Sequence, residues 1–396
     1  MVIICDISAW QYWRTPPIIK NSEVPLELAL APKDAGGLGM DRRLFFPRAN
    51  AREADRLIST SILTDLKSLT LPIHVMVDGE TPRRSNGFIV YHRAPLWLSD
   101  THFVELGSGL AVLSIPALFE TLGRRYGPID LAGALCEACG TYALFHETAV
   151  SRIVYDELIQ SGVIKKLAYR KADIIRQFYE PDGKKAPLCT SLGKEIPWQP
   201  TLNKSGAPTD LWKRPPLTTL EELQVFANVH ARSKGTSRFA RSLTMVREGL
   251  ASPLETQAAL LFTAPKVFGG EALPVPHFNQ KIELSQAAQK LAGTTYCIGD
   301  FVWEEQKVIF EANGYDYHFD HDGFYIKSGR TSALQSMGYT VHEMNYAQMT
   351  DIEQYEAIVQ SICSSLDVKM RPRTAKFSAS HHAMRESIFD PRRLWG

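Results

Sequence analysis

The chain has 396 residues, with 44 Lys+Arg against 43 Asp+Glu, 44% hydrophobic and 22% charged residues, and Cys at only 6 positions. That length exceeds one ordinary core and predicts two or three domains; the composition excludes a disordered chain, and the sparse cysteines exclude a disulfide scaffold. The opening apolar run Val2–Cys5 stops at Asp6, too short for a signal peptide or a membrane span, so the expectation is a cytoplasmic protein with no membrane partner.

Trp10, Tyr12 and Trp13 precede the pair Pro16-Pro17, and their rings suit a core better than a base-stacking surface. From Ala51 to Leu69, the residues Leu57, Ile58, Ile62, Leu63 and Leu66 recur at helical spacing. Ile73–Val77 and Phe88–Tyr91 are short β-prone runs beside Asp78-Gly79 and Asn86-Gly87, and Ala111–Leu113 is a third. Pro116 to Leu144 is helical in pattern, with Ser114 near the cap and Pro116 at the start. Residues 1–150 therefore read as an α+β region. Prolines crowd residues 181–219, and residues 161–220 carry 11 basic against 5 acidic side chains, so 151–219 reads as a basic Pro-rich linker. Leu220 to Gly249 is helical and locally basic through Arg232, Lys234, Arg238, Arg241 and Arg247.

Ser252-Pro253-Leu254-Glu255 has the form of a capping box and opens a helix to about Thr263. Strands are expected at Tyr296–Trp303 and Lys307–Asn313, a helix at Ser328–Met337 and a strand at Tyr339–Met344. Thr350-Asp351-Ile352-Glu353 forms a second capping box and opens a helix to Leu366. Helices alternating with strands over 220–366 predict an α/β layer. Residues 221–366 carry a net charge of −6 and the tail 367–396 a net charge of +4. The basic linker and tail suit phosphate contacts, or equally solvated flexible segments.

Two carboxylates stand out in apolar strands. Asp300 lies in Ile298–Trp303 and Glu311 in Val308–Asn313, and antiparallel pairing of those strands would make the two acids neighbours. Such carboxylates are costly unless solvated, paired or bound to a cation, and two of them suit a hard divalent ion that assists phosphoryl chemistry.

The stretches Gly249-x-x-Ser252-Pro253-x-Glu255-Thr256, Asp300-Phe301-Val302-Trp303, Glu311-x-x-Gly314-x-x-x-His318, Arg330-x-x-x-Leu334 and Gly338-Tyr339-x-Val341 follow one another in order. Through them, residues 249–366 resemble the very-short-patch-repair-like endonuclease branch of the PD-(D/E)XK superfamily. The resemblance implies a restriction-endonuclease-like αβββαβ core. It also implies that Glu255, Asp300 and Glu311 hold Mg²⁺ or Mn²⁺ for DNA phosphodiester hydrolysis, with His318 inside the motif. Residues 70–145 are similar to the middle region of AbiEi-type antitoxin or regulator proteins, through Gly109-Leu110-Ala111-Val112 and Leu135-Cys136-Glu137-x-Cys139-Gly140-Thr141-Tyr142. The superfamily Lys, two residues after the strand acid, falls at Asn313, which cannot act as an ammonium. Lys327 or Arg330 on the following helix would supply that charge, and Arg232, Lys234, Arg238 and Arg241 would follow a DNA backbone.

Plainer roles compete at each position. Glu255 also fits as a helix cap, Asp300 as a turn residue, and His318, Asp320 and His321 as a polar loop. Cys136-x-x-Cys139 is a lone pair and fits small buried helix residues, and His381-His382 fits a solvated tail. No Walker-type loop, dinucleotide fingerprint or His-Glu-x-x-His helix is present. The sequence thus predicts a metal-dependent DNA endonuclease or, alternatively, a non-catalytic AbiEi-like regulator that uses the same fold to bind DNA, a protein partner or a second copy; a plain scaffold would do neither.

Overall fold

A computed structural model of the chain describes residues 1–22, 58–77 except 59, 60 and 63, 85–107 except 86, 109–167, 175–176, 189–190, 198–230 except 204, 236–313 and 321–390. The chain forms two units. One comprises Met1–Tyr126, Ala143–Ala168 and Pro197–Phe239; the other comprises Gly127–Tyr142, Tyr169–Ile196 and Ala240–Gly396.

The first unit is organised by the apolar run at the chain start. Val2–Ile4 is strand β1, and with Ile73–Val77 (β2), Ile89–Arg93 (β3), Phe103–Gly107 (β4) and Leu110–Leu113 (β5) it makes a mixed sheet of order β3-β2-β1-β5-β4. β1 runs antiparallel to β2 and parallel to β5, with Ile4 opposite Val75 and Val112. Every residue of β1 and β5 is buried, as strands covered on both faces require. The three runs expected as strands are strands; β1 was not anticipated, because three apolar residues carry no periodicity. Helix α1 (Asp6–Arg14) leaves β1 directly, and α2 (Ile115–Leu122) follows β5. Trp10 is fully buried against Phe119 at 5.2 Å, and Trp13 Nε1 donates to Leu113 O at 2.8 Å, so Trp10 is a core residue. In the expected helix before β2, Ile58, Ile62 and Leu66 are buried; Leu57 and Leu63 lie outside the described residues.

Part of the expected linker is folded. Tyr142–Leu144 (β6), Gln199–Leu202 (β7) and Pro208–Lys213 (β8) form a sheet of order β6-β8-β7. Trp212 is fully buried with Phe145, Val154, Tyr155 and Ile164. The prolines are tolerated because Pro200 lies on an edge strand and Pro208 is the first residue of the central strand.

The second unit contains α3 (Pro128–Cys139), α4 (Pro253–Thr263), β9 (His277–Glu283), α5 (Gln286–Ala292), β10 (Tyr296–Trp303), β11 (Val308–Asn313), α6 (His321–Ser336), β12 (Thr340–Asn345), α7 (Ile352–Ser365) and α8 (Ala375–Phe389). Strands β9-β10-β11-β12 form one sheet, antiparallel over the first three and parallel between β11 and β12, with α6 as the crossover. Phe262 of α4 packs on Phe301 and Phe310 at 6.1 and 4.8 Å, on one face. Val302 and Ile309 pack with Ala333 and Leu334 of α6 on the other. This is a mixed α/β layer.

Strands β10, β11 and β12 fall within a residue of their expected bounds, but β9 and α5 had no sequence signal strong enough to place them. The cap of α7 is Asp351, which accepts from Glu353 N and Gln354 N at 3.0 and 2.9 Å, one residue later than expected. Residues 367–396 do not form a solvated tail throughout. In α8, Phe377, His381, Met384 and Ile388 are buried, at helical spacing that a charge count overlooks, and His381 Nδ1 lies 2.7 Å from Gly269 O. His382 is exposed. No helix among the described residues is long and apolar enough to cross a membrane.

Candidate functional site

Glu311 and Arg330 meet because the strand and helix patterns coincide. Phe310 faces α4, so Glu311, one residue on, faces α6, whose Ala333 and Leu334 pack inward. Arg330, one turn before them, donates through Nη2 to Glu311 Oε1 at 2.6 Å and to Ile298 O. Glu311 is 7% exposed and Asp300 is 2% exposed. Burial alone would lower the basicity of Arg330; the charges of Glu311 and Asp300 outweigh it and hold the guanidinium above its ordinary value. The same burial raises the Cys297 thiol, which also bonds Arg330.

Asp300 lies at a kink. Phe278 pairs with Phe301 and Gln280 with Gly299, so the register brings Asn279 opposite Asp300. Asn279 has φ +49°, the left-handed region that Asn tolerates better than most residues. A Cβ on Gly299 would stand 2.5 Å from Val302 Cγ2, so a larger residue there would displace the Val302 side chain. Asp300 Oδ2 accepts from Ala312 N at 3.0 Å, which ties the kink to β11.

Glu255 is committed to another task. It accepts from Ala251 N at 2.8 Å, from Ser252 Oγ at 2.9 Å and from Asn279 Nδ2 at 2.7 Å. It therefore caps α4 and anchors the β9 kink. Through Asn279 it reaches the register neighbour of Asp300, but Glu255, Asp300 and Glu311 are not a set whose ligand atoms all lie within 4.8 Å of one another. Among the described residues, one group of three ligand-type side chains has its donor atoms within 4.8 Å of one another: Asp6, His74 and His92, in the first unit.

Asn313 does not stand in for a lysine. Its Nδ2 donates to Glu343 Oε2 at 3.1 Å. Glu343 is the register partner of Glu311 across the parallel β11–β12 pair, a like-charge pairing that is repulsive unless neutralised. The sequence reading omitted Glu343, which lies in Val341-His342-Glu343-Met344 and so lacks the apolar context that marks Glu311. Asn279 was omitted for another reason, since only its backbone conformation gives it a role.

The side chain of Lys327 and all of His318, Arg232 and Lys234 lie outside the described residues. Arg238 and Arg241, on the helix Thr236–Leu243, are exposed, and the Arg241 guanidinium lies 5.0 Å from the centre of the Phe268 ring. Arg247 is partly buried and donates to Thr263 Oγ1 and Val246 O, which removes it from any basic surface. Cys136 and Cys139 are buried on α3; Cys136 Sγ accepts from Arg247 N, and burial pushes its thiol up to about 11. They behave as helix core, as the lone spacing suggests.

The site thus offers two buried carboxylates facing one guanidinium, with a third carboxylate beside them. The chain matches no protein-family model, no curated protein and no solved structure.

Proposed function

We propose that residues 249–366 are a nuclease-like domain of the PD-(D/E)XK type and that the protein hydrolyses DNA phosphodiester bonds. The run α4, β9, β10, β11, α6, β12, with the short helix α5 inserted between β9 and β10, supports this reading. The observation that carries it is the placement of Arg330 against Glu311 and beside Asp300, where the missing superfamily lysine leaves a cation to be supplied. Two buried acids against one guanidinium leave an excess of negative charge, and Mg²⁺ is commonly held by only one or two protein carboxylates, its remaining positions going to water and phosphate oxygens. Asp300 and Glu311 would hold Mg²⁺ or Mn²⁺, without Glu255. Such an ion supplies an activated hydroxide and neutralises phosphoryl charge. The chain's own part is positional: Arg330 fixes the Glu311 carboxylate, Ala312 N fixes Asp300, and Asn313 holds Glu343 back from its neighbour. Of the four basic residues nominated by the sequence, Arg238 and Arg241 are described and exposed, and would face a phosphate backbone. The five cysteines whose side chains are described are free thiols, which suits a reducing, cytoplasmic compartment.

A second reading is a non-catalytic regulator of the AbiEi-like kind. It is favoured by the full commitment of Glu255 to its cap and of Asn313 to Glu343. Purified protein incubated with supercoiled, linear and single-stranded DNA in Mg²⁺, Mn²⁺ or EDTA separates the two, with Asp300→Asn and Glu311→Gln run alongside. Metal-dependent cleavage lost in both variants is the expected result. No cleavage, together with salt-dependent DNA binding that persists in EDTA, would replace the nuclease by the regulator.

A further inference from the structure

The first unit carries a cluster that no part of the nuclease reading uses. Asp6 stands where β1 turns into α1; His74 is on β2 and His92 on β3. Because β2 and β3 are parallel with Met76 opposite His92, His74 and His92 share one face, two residues apart along the ladder. Their rings stack with centroids 5.0 Å apart, and His74 Nδ1 lies 2.8 Å from His92 Nε2. Asp6 Oδ2 lies 4.0 Å from His74 Nδ1, and one donor atom from each of the three residues lies within 4.8 Å of the other two. Three distant segments, at residues 6, 74 and 92, thus meet, with Asp6 buried and both histidines half-buried.

We propose that Asp6, His74 and His92 form a binding site for a borderline divalent transition ion, with zinc as the reference ion. Two imidazole nitrogens and one carboxylate oxygen are the donor set of open zinc and non-haem iron sites, and they discriminate against Mg²⁺ and Ca²⁺, which take oxygen. Ligands about 2 Å from a tetrahedral ion lie a little over 3 Å apart, so spacings of 2.8 Å, 4.0 Å and at most 4.8 Å must change by no more than about 1.5 Å to close on one. Asp6 is held for the purpose in two ways. Its φ is +51°, a conformation that costs a non-glycine residue energy. Its Oδ1 accepts from Ile7 N at 2.7 Å, which leaves Oδ2 turned toward the histidines. Arg125 Nη1 also reaches Oδ2, at 2.8 Å, from a side chain 54% exposed and therefore able to swing out when an ion takes that oxygen. Three protein ligands leave at least one position open to water or to an anionic ligand, next to the Arg125 guanidinium. The site is of the open kind and is independent of Asp300 and Glu311.

The test uses the full chain stripped with EDTA and titrated calorimetrically with Zn²⁺, with Co²⁺ as a spectroscopic probe and Mg²⁺ as the oxygen-seeking contrast. His74→Gln, His92→Gln and Asp6→Asn are compared, each checked for native circular dichroism. One Zn²⁺ site per chain is expected, with a Co²⁺ spectrum showing nitrogen ligation and no comparable Mg²⁺ uptake. Each variant should weaken Zn²⁺ by more than the ~10–100-fold that loss of an outer-shell partner costs. Zn²⁺ should raise the melting temperature of the wild type and not of His92→Gln. If Asp6→Asn fails to fold, the two histidine variants decide the matter alone. Binding that is absent, or equal in wild type and both histidine variants, would overturn the site and leave the histidines as a hydrogen-bonded core pair.

Discussion

Arg330 Nη2 donates to Glu311 Oε1 at 2.6 Å and to the Ile298 carbonyl, so one guanidinium ties α6 to two adjacent strands. Removing it with Arg330→Met strands Glu311, and Asp300 beside it, as buried charges. A loss of about 3–5 kcal/mol is expected, the cost of breaking a buried pair from one side. Urea unfolding measures it. Arg330→Lys should recover part of the loss, because both bonds come from the one nitrogen Nη2 and an ammonium carries three donors, though on a side chain of different reach and shape. Saturating Mg²⁺ should stabilise Arg330→Met more than the wild type if the carboxylates hold an ion; equal effects would count against that site.

Asn279 serves through its backbone and its amide together. Asn279→Ala loses the bonds to Glu255 and to Gly249 O and keeps a β-carbon at φ +49°. Asn279→Gly loses the same two bonds but also removes the β-carbon. The expected order of stability is wild type, then Gly, then Ala, with the two variants separated by about 1 kcal/mol, the cost of the left-handed conformation for a residue with a β-carbon. Thermal melts of the three proteins check it, and Ala equal to Gly would mean that the backbone relaxes there.

Gly299→Ala drives a methyl to 2.5 Å from Val302 Cγ2, in the cluster that α6 covers. Overpacking of this kind costs about 1–3 kcal/mol. Because the bend also presents Asp300, cleavage activity should fall further than the folded fraction does. Unfolding curves and cleavage rates measured on the same preparation make the comparison.

Glu271 is 1% exposed, and Arg373 bonds both of its carboxylate oxygens at 2.9 Å from the segment before α8. Arg373→Ala should cost about 3–5 kcal/mol. Limited proteolysis should then cut first near 370–390. A variant as resistant as the wild type would return these residues to the status of a tail.

Lys67 gives a pH dependence. Burial lowers its ammonium to about 8, against an ordinary value of 10.5, with Asp65 opposing. Its Nζ donates to Lys20 O and Thr64 O. Below about pH 8 the lysine is charged in both states, and the full cost of burying that charge is present. Between about 8 and 10.5 the unfolded chain binds more protons, so stability rises with pH. Relative to Lys67→Met, the wild type should gain stability across that window. Urea midpoints of both proteins at pH 7 and pH 10 test it, and a constant difference would contradict the shift.

Much of the second unit was legible in the sequence, because long alternating runs fix strands and capping residues fix helix starts locally. Tyr296–Trp303 and Val308–Asn313 declare themselves by apolar continuity, and Ser252 and Glu255 declare a helix start. Strand β9 was not legible, because His277–Glu283 alternates around an Asn whose conformation no pattern encodes. Strand β1 was not legible either, because its partners lie some 70 and 110 residues away and its role is set by them.

The sequence by itself determined the α/β pattern, the two strand acids Asp300 and Glu311, and the need for a cation near them, because a carboxylate in an apolar run is costly wherever that run folds. Only the tertiary structure decided which cation is at hand, that Glu255 is occupied with its cap, and that Asp6, His74 and His92 meet. These are long-range pairings. They depend on strand register, on which face a side chain takes, and on the left-handed residues Asp6 and Asn279, and none of those is fixed by neighbours in the chain.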